Sequence, residues 1–210
     1  MPTESRIEII SIDGRKSAKP WLCVEHCLKL MPAGFFSAAR VFSPVCPDLS
    51  PANGTEISWE FFPSGDIHSY SRFCLENLAG VVEGTHVLIV QNDGYILRPD
   101  LWDPEWLQYD YIGAPWPLHV TQSKFARVGN GGFSLRSAKL LRECAKLEYV
   151  VGQPEDMQIC VTHRCALLGH GIEYAPVKSA RRFSVELVET KEPTFGFHKV
   201  TGSDGRVLLE

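Results

Sequence analysis

The sequence predicts a single α/β domain in which a mostly parallel central sheet is flanked by helices. Segments rich in β-branched residues alternate with segments whose apolar residues have helical spacing, an order typical of parallel sheets. The chain has 210 residues, 44% of them hydrophobic, enough for one substantial core. It contains no internal repeat, low-complexity tract or linker that would divide it.

The first half of the chain supplies most of the predicted sheet. Residues 6–12 hold four isoleucines and form the first strand, and the turn after it, Asp13-Gly14-Arg15, is one across which a nucleotide could lie. Apolar stripes predict the helices, which end at Met31-Pro32 and Glu83-Gly84. In chain order the further elements are a helix over 20–30, strands over 38–42 and 56–62, a helix over about 66–82 and a strand over 87–90.

The second half begins with an irregular stretch over 98–117, dense in Trp, Tyr, Pro and Asp. Such segments often line ligand clefts. Ser137 is suited to cap a helix, and Pro154 to begin one. The predicted elements are short strands over 109–113 and 133–136, a helix over 137–147, a helix from 154 that ends near Gly169 or Gly171, a strand over 172–177 and an irregular tail from residue 181.

Composition argues against several classes of function. The net charge is −4, from 21 basic and 25 acidic residues, so no electrostatic surface for nucleic acid or an anionic membrane is expected. No segment approaches the roughly 20 apolar residues of a membrane span. The seven cysteines form no CxxC pair and are typical of reduced core thiols. We therefore expect a cytoplasmic protein without an integral membrane segment, and peripheral attachment at the inner membrane stays open.

Asp93 follows an apolar strand and precedes a glycine. In open α/β sheets ligands bind beyond the carboxyl ends of the strands, so Asp93 is placed at the rim of a cleft. A hard divalent cation takes oxygen ligands from one or two carboxylates and from phosphate. His198 could be an added ligand if Mn²⁺ is used. The alternative is an ordinary turn aspartate, with a packed or solvated histidine.

The Asn130-Gly131-Gly132 turn allows a ligand or another backbone to come close, because two successive residues lack Cβ. The Asn130 amide suits sugar hydroxyls. A tight turn before a strand is an equal interpretation.

Glu155 and Asp156 follow Pro154 at the predicted start of a helix. Acidic residues there complement the helix dipole, which is the simpler interpretation, but either carboxylate could also take a proton from an acceptor hydroxyl. Trp116 belongs to an aromatic group that could stack on a sugar ring or belong to the core.

Taken in order, four blocks of sequence resemble glycosyltransferases of the GT-A fold, a Rossmann-like architecture. The resemblance is closest to a bacterial family of uncharacterised glycosyltransferase-like domains and covers roughly residues 87–199. The blocks are Gln91-Asn92-Asp93, Gly129-Asn130-Gly131-Gly132-Phe133-Ser134-Leu135-Arg136, Pro154-Glu155-Asp156 and Phe195-Gly196-Phe197-His198.

This resemblance implies a nucleotide-binding half over 1–93 and an acceptor-side half over 94–210. Asp93 would match the last acid of an Asp-x-Asp motif, binding Mn²⁺ or Mg²⁺ that bridges a nucleotide diphosphate, and His198 would complete the metal site. Gln91 stands where the first acid would be, so one carboxylate is lost. Asp13 and Arg15 are expected at the nucleotide.

On the acceptor side, the resemblance implies that Asn130, Gly131 and Gly132 lie against the donor sugar and acceptor. Asp156, or Glu155 beside it, would activate the acceptor as in inverting members. The resemblance thus implies transfer of a sugar, from a UDP-sugar by preference, to a glycan or lipid-linked acceptor in bacterial surface polysaccharide synthesis.

Two alternatives stay open. A non-catalytic module that binds a nucleotide or glycan is favoured by Gln91. A glycoside hydrolase would pair Asp93 with Glu155 or Asp156, and it would act without a nucleotide donor.

Overall fold

The computed structural model describes residues 6–16, 19–47, 51–121, 123–188 and 190–199. It confirms the predicted fold class: a six-stranded, mostly parallel sheet flanked by helices. The predicted tail beyond residue 199 lies outside the described residues. None of the helices in the described parts of the chain is long and apolar enough to cross a membrane.

The sheet has the strand order β3-β2-β1-β4-β6-β5, in which the first four strands are parallel and the last two pair antiparallel. Every residue of β1 and β4 is buried, as expected for central parallel strands covered on both faces. The strands are β1 Ile7–Ile12, β2 Phe36–Ser43, β3 Ile57–Phe61, β4 His86–Val90, β5 Tyr111–Ile112 and β6 Ser134–Ser137. A separate parallel pair consists of β7 Ser184–Val185 and β8 Gly196–Phe197.

The helices pack on the two faces of the sheet and around its antiparallel end. They are α1 Pro20–Leu30, α2 Ile67–Arg72, α3 Leu78–Val81, α4 Leu118–Thr121, α5 Ala138–Cys144, α6 Glu155–Met157, α7 Arg164–Gly169 and α8 Val177–Phe183. A π-helical segment, Phe73–Asn77, joins α2 to α3, and a second, Gln158–Thr162, follows α6. Short 3-10 turns cover Pro99–Leu101 and Pro104–Gln108.

The core has one part on each face of the parallel strands. On one face α1 places Val24 and Cys27 against Ile9, and on the other α3 places Leu78 near Ile10. Alternate residues of β1 thus point into the two parts of the core, and the strand pairs in parallel register with β4, so the two strands end at the same edge of the sheet.

Two predictions for this part of the chain are wrong: the strand over 172–177, and the irregular tail from residue 181, which contains the end of α8 at Phe183 and the β7–β8 pair. A strand was expected over 172–177, but Tyr174 forms only an isolated bridge with Tyr111, and the chain begins α8 at Val177. The neighbouring β5 is only two residues long, so it offers few backbone partners. Pro176, with φ −68°, precedes the helix, where its fixed φ is tolerated and its missing N–H costs nothing.

Candidate active site

The candidate site lies at the carboxyl edge of β1 and β4. These strands are parallel neighbours and Ser11 pairs with Val90, so the loops that follow them come out side by side. This is the edge at which open α/β sheets bind ligands. A cavity of about 240 Å³ lies there and brings together the four residues predicted at the nucleotide, namely Asp13, Arg15, Gln91 and Asp93.

The turn after β1 presents a preformed ion pair. The Arg15 guanidinium donates from Nη2 to Asp13 Oδ2 at 2.6 Å and from Nε to Asp13 Oδ1 at 3.0 Å. This hydrogen bonding raises the pKa of Arg15. A guanidinium held in one orientation suits the oxygens of a phosphate.

Sequence reasoning missed the polar side chains of Asp66, Tyr70 and Lys199, which also line the cavity. Asp66 caps α2 by accepting from the backbone N–H groups of His68 and Ser69. Lys199 lies beside Asp93, whose carbonyl accepts from the Lys199 backbone N–H at 2.8 Å. Neither Asp66 nor Lys199 belongs to one of the four sequence blocks, so only the tertiary structure shows that they line the cavity.

Asp93 sits in a closed turn after β4. Gln91 and Gly94 exchange backbone hydrogen bonds of 2.8 and 2.9 Å, and this fixes the two residues between them. Asp93 Oδ1 is buried and has no hydrogen-bond partner among the described residues. An unpartnered carboxylate oxygen at the rim of a cavity is poorly solvated and suits a cation.

His198 lies against this turn, as predicted. Its Nε2 is 3.2 Å from Gln91 Oε1 and 3.6 Å from Asp93 Oδ1, while its Nδ1 is 2.9 Å from Glu186 Oε1. Gln91 Oε1 can only accept, so the 3.2 Å contact is donated by Nε2–H; a cation here would need the tautomer in which Nδ1–H donates to Glu186 and Nε2 keeps its lone pair. A carboxylate behind a histidine is the usual arrangement around a metal ligand. Glu186 was not predicted.

The residues around His198 fit a divalent cation. They offer one carboxylate, one amide oxygen and one imidazole nitrogen, which Mn²⁺ and Mg²⁺ sites use in varying proportion. Within the described ranges there is no group of three or more His, Cys, Asp or Glu side chains arranged to hold a metal. The amide of Gln91 would therefore have to serve where a second carboxylate is usual.

The Asn130-Gly131-Gly132 turn connects this cluster to Asp156. A Cβ built on Gly132 would lie 2.1 Å from His198 Nε2, and one on Gly131 would lie 1.8 Å from Glu155 Oε1. The space left by the two missing Cβ atoms is therefore filled by protein side chains rather than by the ligand or backbone considered from the sequence. The Gly131 N–H donates to Asp156 Oδ2 at 3.1 Å.

The two adjacent acids, Glu155 and Asp156, have different environments. Glu155 is 2% exposed and pairs with the buried guanidinium of Arg136 at 2.9 Å. Asp156 stays partly exposed and, among the described residues, accepts from the backbone N–H groups of Gly131 and Met157. Burial, and then the charge of Glu155, raises the pKa of Asp156 to about 6. Asp156 is therefore the better candidate for a general base.

Trp116 is not placed to stack on a sugar. It is 3% exposed and its ring packs against Gly129, where a Cβ would lie 2.2 Å from the indole. It belongs to a buried cluster with Tyr111 and Leu140. The core interpretation of this tryptophan is the one that its surroundings favour.

A comparison with curated proteins finds no match to this chain. A family described as "Protein of unknown function (DUF5672)" matches residues 54–198. This range contains Gln91, Asp93, the Gly131-Gly132 turn, Asp156 and His198, and it covers more than half of the chain. The chain therefore belongs to the DUF5672 family of proteins of unknown function.

Proposed function

We propose that this protein transfers a sugar from a nucleoside diphosphate sugar to a hydroxyl acceptor. The observation that carries the proposal is the continuity of the site. Asp93 and Gln91 line the cavity and contact His198, the His198 ring lies on Gly132, and Gly131 donates to Asp156. Groups suited to a diphosphate and a group suited to an acceptor thus lie along one connected edge of the sheet.

The cavity is the proposed donor site. Arg15 and Lys199 provide positive charge for phosphate oxygens, and Asp13 keeps the guanidinium in place. Gln91, Asp93 and His198 would hold Mn²⁺ or Mg²⁺, which when bound offsets the charge that develops on the leaving diphosphate. We favour a UDP-sugar as the donor.

Asp156 is the proposed general base. With a pKa raised to about 6 it is mostly ionised at neutral pH, yet basic enough to accept a proton. As the acceptor oxygen attacks the anomeric carbon, its proton passes to Asp156 and the bond from that carbon to the diphosphate breaks, which inverts the configuration. A glycan or lipid-linked acceptor in surface polysaccharide synthesis fits this chemistry, at the cytoplasmic side of the inner membrane.

Release of nucleoside diphosphate from a panel of nucleotide sugars, with Mn²⁺ and candidate acceptors, tests the proposal. Asp93→Ala and Asp156→Ala should each reduce transfer by at least about 100-fold while the circular dichroism spectrum is unchanged. Asp100→Asn is the control, because Asp100 is exposed and, within the described parts of the chain, pairs with Arg98. Near-normal transfer by either alanine variant would remove that residue from the mechanism.

A non-catalytic binding module is the second candidate. Gln91 favours this candidate, because it places a neutral amide where a second carboxylate is usual. The cation site then has one carboxylate, Asp93, and one imidazole, His198. Calorimetry with UDP, with and without Mn²⁺, separates the two. Metal-dependent binding accompanied by transfer supports the enzyme, whereas tight binding with no turnover for any donor in the panel supports the module.

A further inference from the structure

Arg136 is a fully buried cation beneath the Asn130-Gly131-Gly132 turn. Its side chain is 0% exposed and that of its partner Glu155 is 2% exposed. Taking both charges out of water is costly, and replacing such a pair by apolar residues is often neutral or stabilising. The position of this pair therefore calls for an explanation other than stability.

The guanidinium fixes the carbonyl of Gly131. Arg136 Nη2 donates to Glu155 Oε1 at 2.9 Å and to the Gly131 carbonyl at 3.3 Å. Arg136 Nε donates to Ser134 Oγ at 3.0 Å, and this hydroxyl donates to the same carbonyl at 3.1 Å. Two donors to the Gly131 carbonyl thus involve Arg136. One is its own Nη2–H group, and the other is the Ser134 hydroxyl, which accepts from its Nε–H group.

The other side of the turn faces Asp156. The Gly131 N–H donates to Asp156 Oδ2 at 3.1 Å, and Tyr111 Oη donates to the Asn130 carbonyl at 3.1 Å. Hydrogen bonds to the Asn130 and Gly131 carbonyls fix the orientation of the turn, so the Gly131 N–H group points at one carboxylate oxygen of Asp156. Precise placement of a reacting group to within about 1 Å is worth roughly 100-fold in rate.

We infer that Arg136 and Glu155 are positioning residues, which hold the Gly131 amide and through it the Asp156 carboxylate in the orientation that the acceptor meets. The inference rests on the proposed function in assigning Asp156 to the reaction. It adds residues that touch neither donor nor acceptor and whose effect passes through the turn.

The same pair affects the proton affinity of Asp156. The charged or titratable groups that act electrostatically on this carboxylate include Glu155, Arg136, Tyr111 and Cys160. Burial raises the pKa values of Tyr111 and Cys160 well above neutrality, so both stay uncharged. Glu155 is then the only neighbouring negative charge among them, and it acts against Arg136.

The first test is the Glu155→Gln variant, which keeps the size of the side chain and one acceptor for Arg136. The carboxyl ¹³C resonance of Asp156, followed by NMR against pH, should titrate at lower pH than in the unmodified protein. The acid limb of the transfer rate should move the same way. An unchanged titration would overturn the electrostatic part of the inference.

The second test is the double variant Arg136→Met/Glu155→Gln, which leaves no buried charge unpaired. It should fold, exchange its Gly131 amide hydrogen faster and transfer sugar roughly 100-fold more slowly. A folded double variant with unmodified Gly131 exchange and transfer would overturn the positioning role. The NMR readouts need no activity, so they remain decisive for these residues even if no nucleotide sugar is turned over.

The matched control is Arg40→Met/Glu8→Gln. Arg40 Nε lies 3.4 Å from the buried Glu8 carboxylate near the opposite end of β1. This variant also removes an arginine–glutamate pair on the sheet. The control should leave the Asp156 titration, the Gly131 amide exchange and the transfer rate unchanged. If it changed them as much as the Arg136→Met/Glu155→Gln variant does, a general loss of stability would explain the result.

Discussion

The ring of His198 is held between two glycines. A Cβ on Gly94 would lie 2.8 Å from His198 Cδ2 and one on Gly132 would lie 2.1 Å from Nε2. A Cβ atom essentially never comes within 3.0 Å of a non-bonded heavy atom, so a side chain at either position must move the ring. The orientation of the imidazole toward Asp93 thus depends on two residues that have no functional group.

Gly132→Ala tests this dependence. We expect the ring to be displaced and the affinity for Mn²⁺, measured by calorimetry, to fall by roughly 10–100-fold, the range found when the support of a metal ligand is lost. Gly80→Ala is the control, because no atom lies within 4 Å of its added Cβ. Unchanged Mn²⁺ affinity in Gly132→Ala would show that His198 is not a ligand.

Gln91→Glu restores a carboxylate beside His198 and Asp93. The new charge at the position of Gln91 Oε1, 3.2 Å from Nε2, should increase Mn²⁺ affinity by roughly 10-fold, because ligand charge tunes the affinity of oxygen sites. Titration of the variant and the unmodified protein at equal ionic strength measures the change. Weaker binding by the variant would place the cation elsewhere.

Among the elements, the junction between β6 and α5 depends on one hydroxyl. Ser137 Oγ accepts from the Leu140 N–H at 3.0 Å, which caps α5, and donates to Asp110 Oδ1 at 2.5 Å. Asp110 Oδ2 in turn accepts from the Glu173 N–H at 2.8 Å. This hydroxyl therefore joins a strand, a helix and the connection before α8.

Ser137→Ala should lower the free energy of unfolding by about 1–2 kcal/mol, since it removes a helix cap and leaves a buried carboxylate oxygen without a donor. Urea denaturation gives the value. Ser58→Ala serves as the comparison, because Ser58 lies on the edge strand and its hydroxyl donates to the Ala39 carbonyl. Its change should stay within about 0.5 kcal/mol. Equal losses in the two variants would contradict the cap.

Elements with a complete local pattern could be predicted closely. The helix over 20–30 agrees residue for residue with α1, because its apolar stripe, Pro20 and Pro32 mark both the face and the ends. The helix over 66–82 was placed within one residue at each end, but its π-helical segment Phe73–Asn77 has no sequence signal at this level. The strand over 172–177 failed because pairing depends on a distant partner.

The residues of the candidate site also divide into those that a sequence pattern indicates and those that only the structure shows. Asp93, His198 and Asp156 belong to motifs, and the structure places them along one edge. Glu186 belongs to none of these motifs and pairs with a residue 12 positions away, so no local spacing reveals it. Arg136 ends the block that begins at Gly129, but its pairing with Glu155, 19 positions away, is not readable from spacing. The roles of Glu155 and Trp116 depend on burial, which a sequence pattern does not distinguish from a ligand contact.

At the scale of the whole molecule, Asp156 should make stability depend on pH. Its folded-state pKa of about 6 lies above the ordinary aspartate value, so the fold is favoured while this carboxyl is protonated and loses that contribution as pH rises through about 6. A carboxylate kept partly buried for chemistry thus weakens the protein at neutral pH.

Asp156→Asn removes this titration. Relative to the unmodified protein, its free energy of unfolding should rise by on the order of 1–2 kcal/mol between pH 4.5 and pH 8. Any constant cost of the amide cancels in that difference. Parallel stability curves from thermal denaturation at the two pH values would show that Asp156 is not perturbed.

His198 reaches the site on a segment that the ribosome makes after every strand of the central sheet. The segment is held by the β7–β8 pair, by the bridge from Gly196 to Ile96 and by the bond from the Lys199 N–H to the Asp93 carbonyl. Asp93 and the sheet edge are therefore synthesised before the imidazole that faces them. A chain that ends before residue 198 would have the Asp93 turn without its histidine partner, so the proposed cation site would stay incomplete until this segment is made.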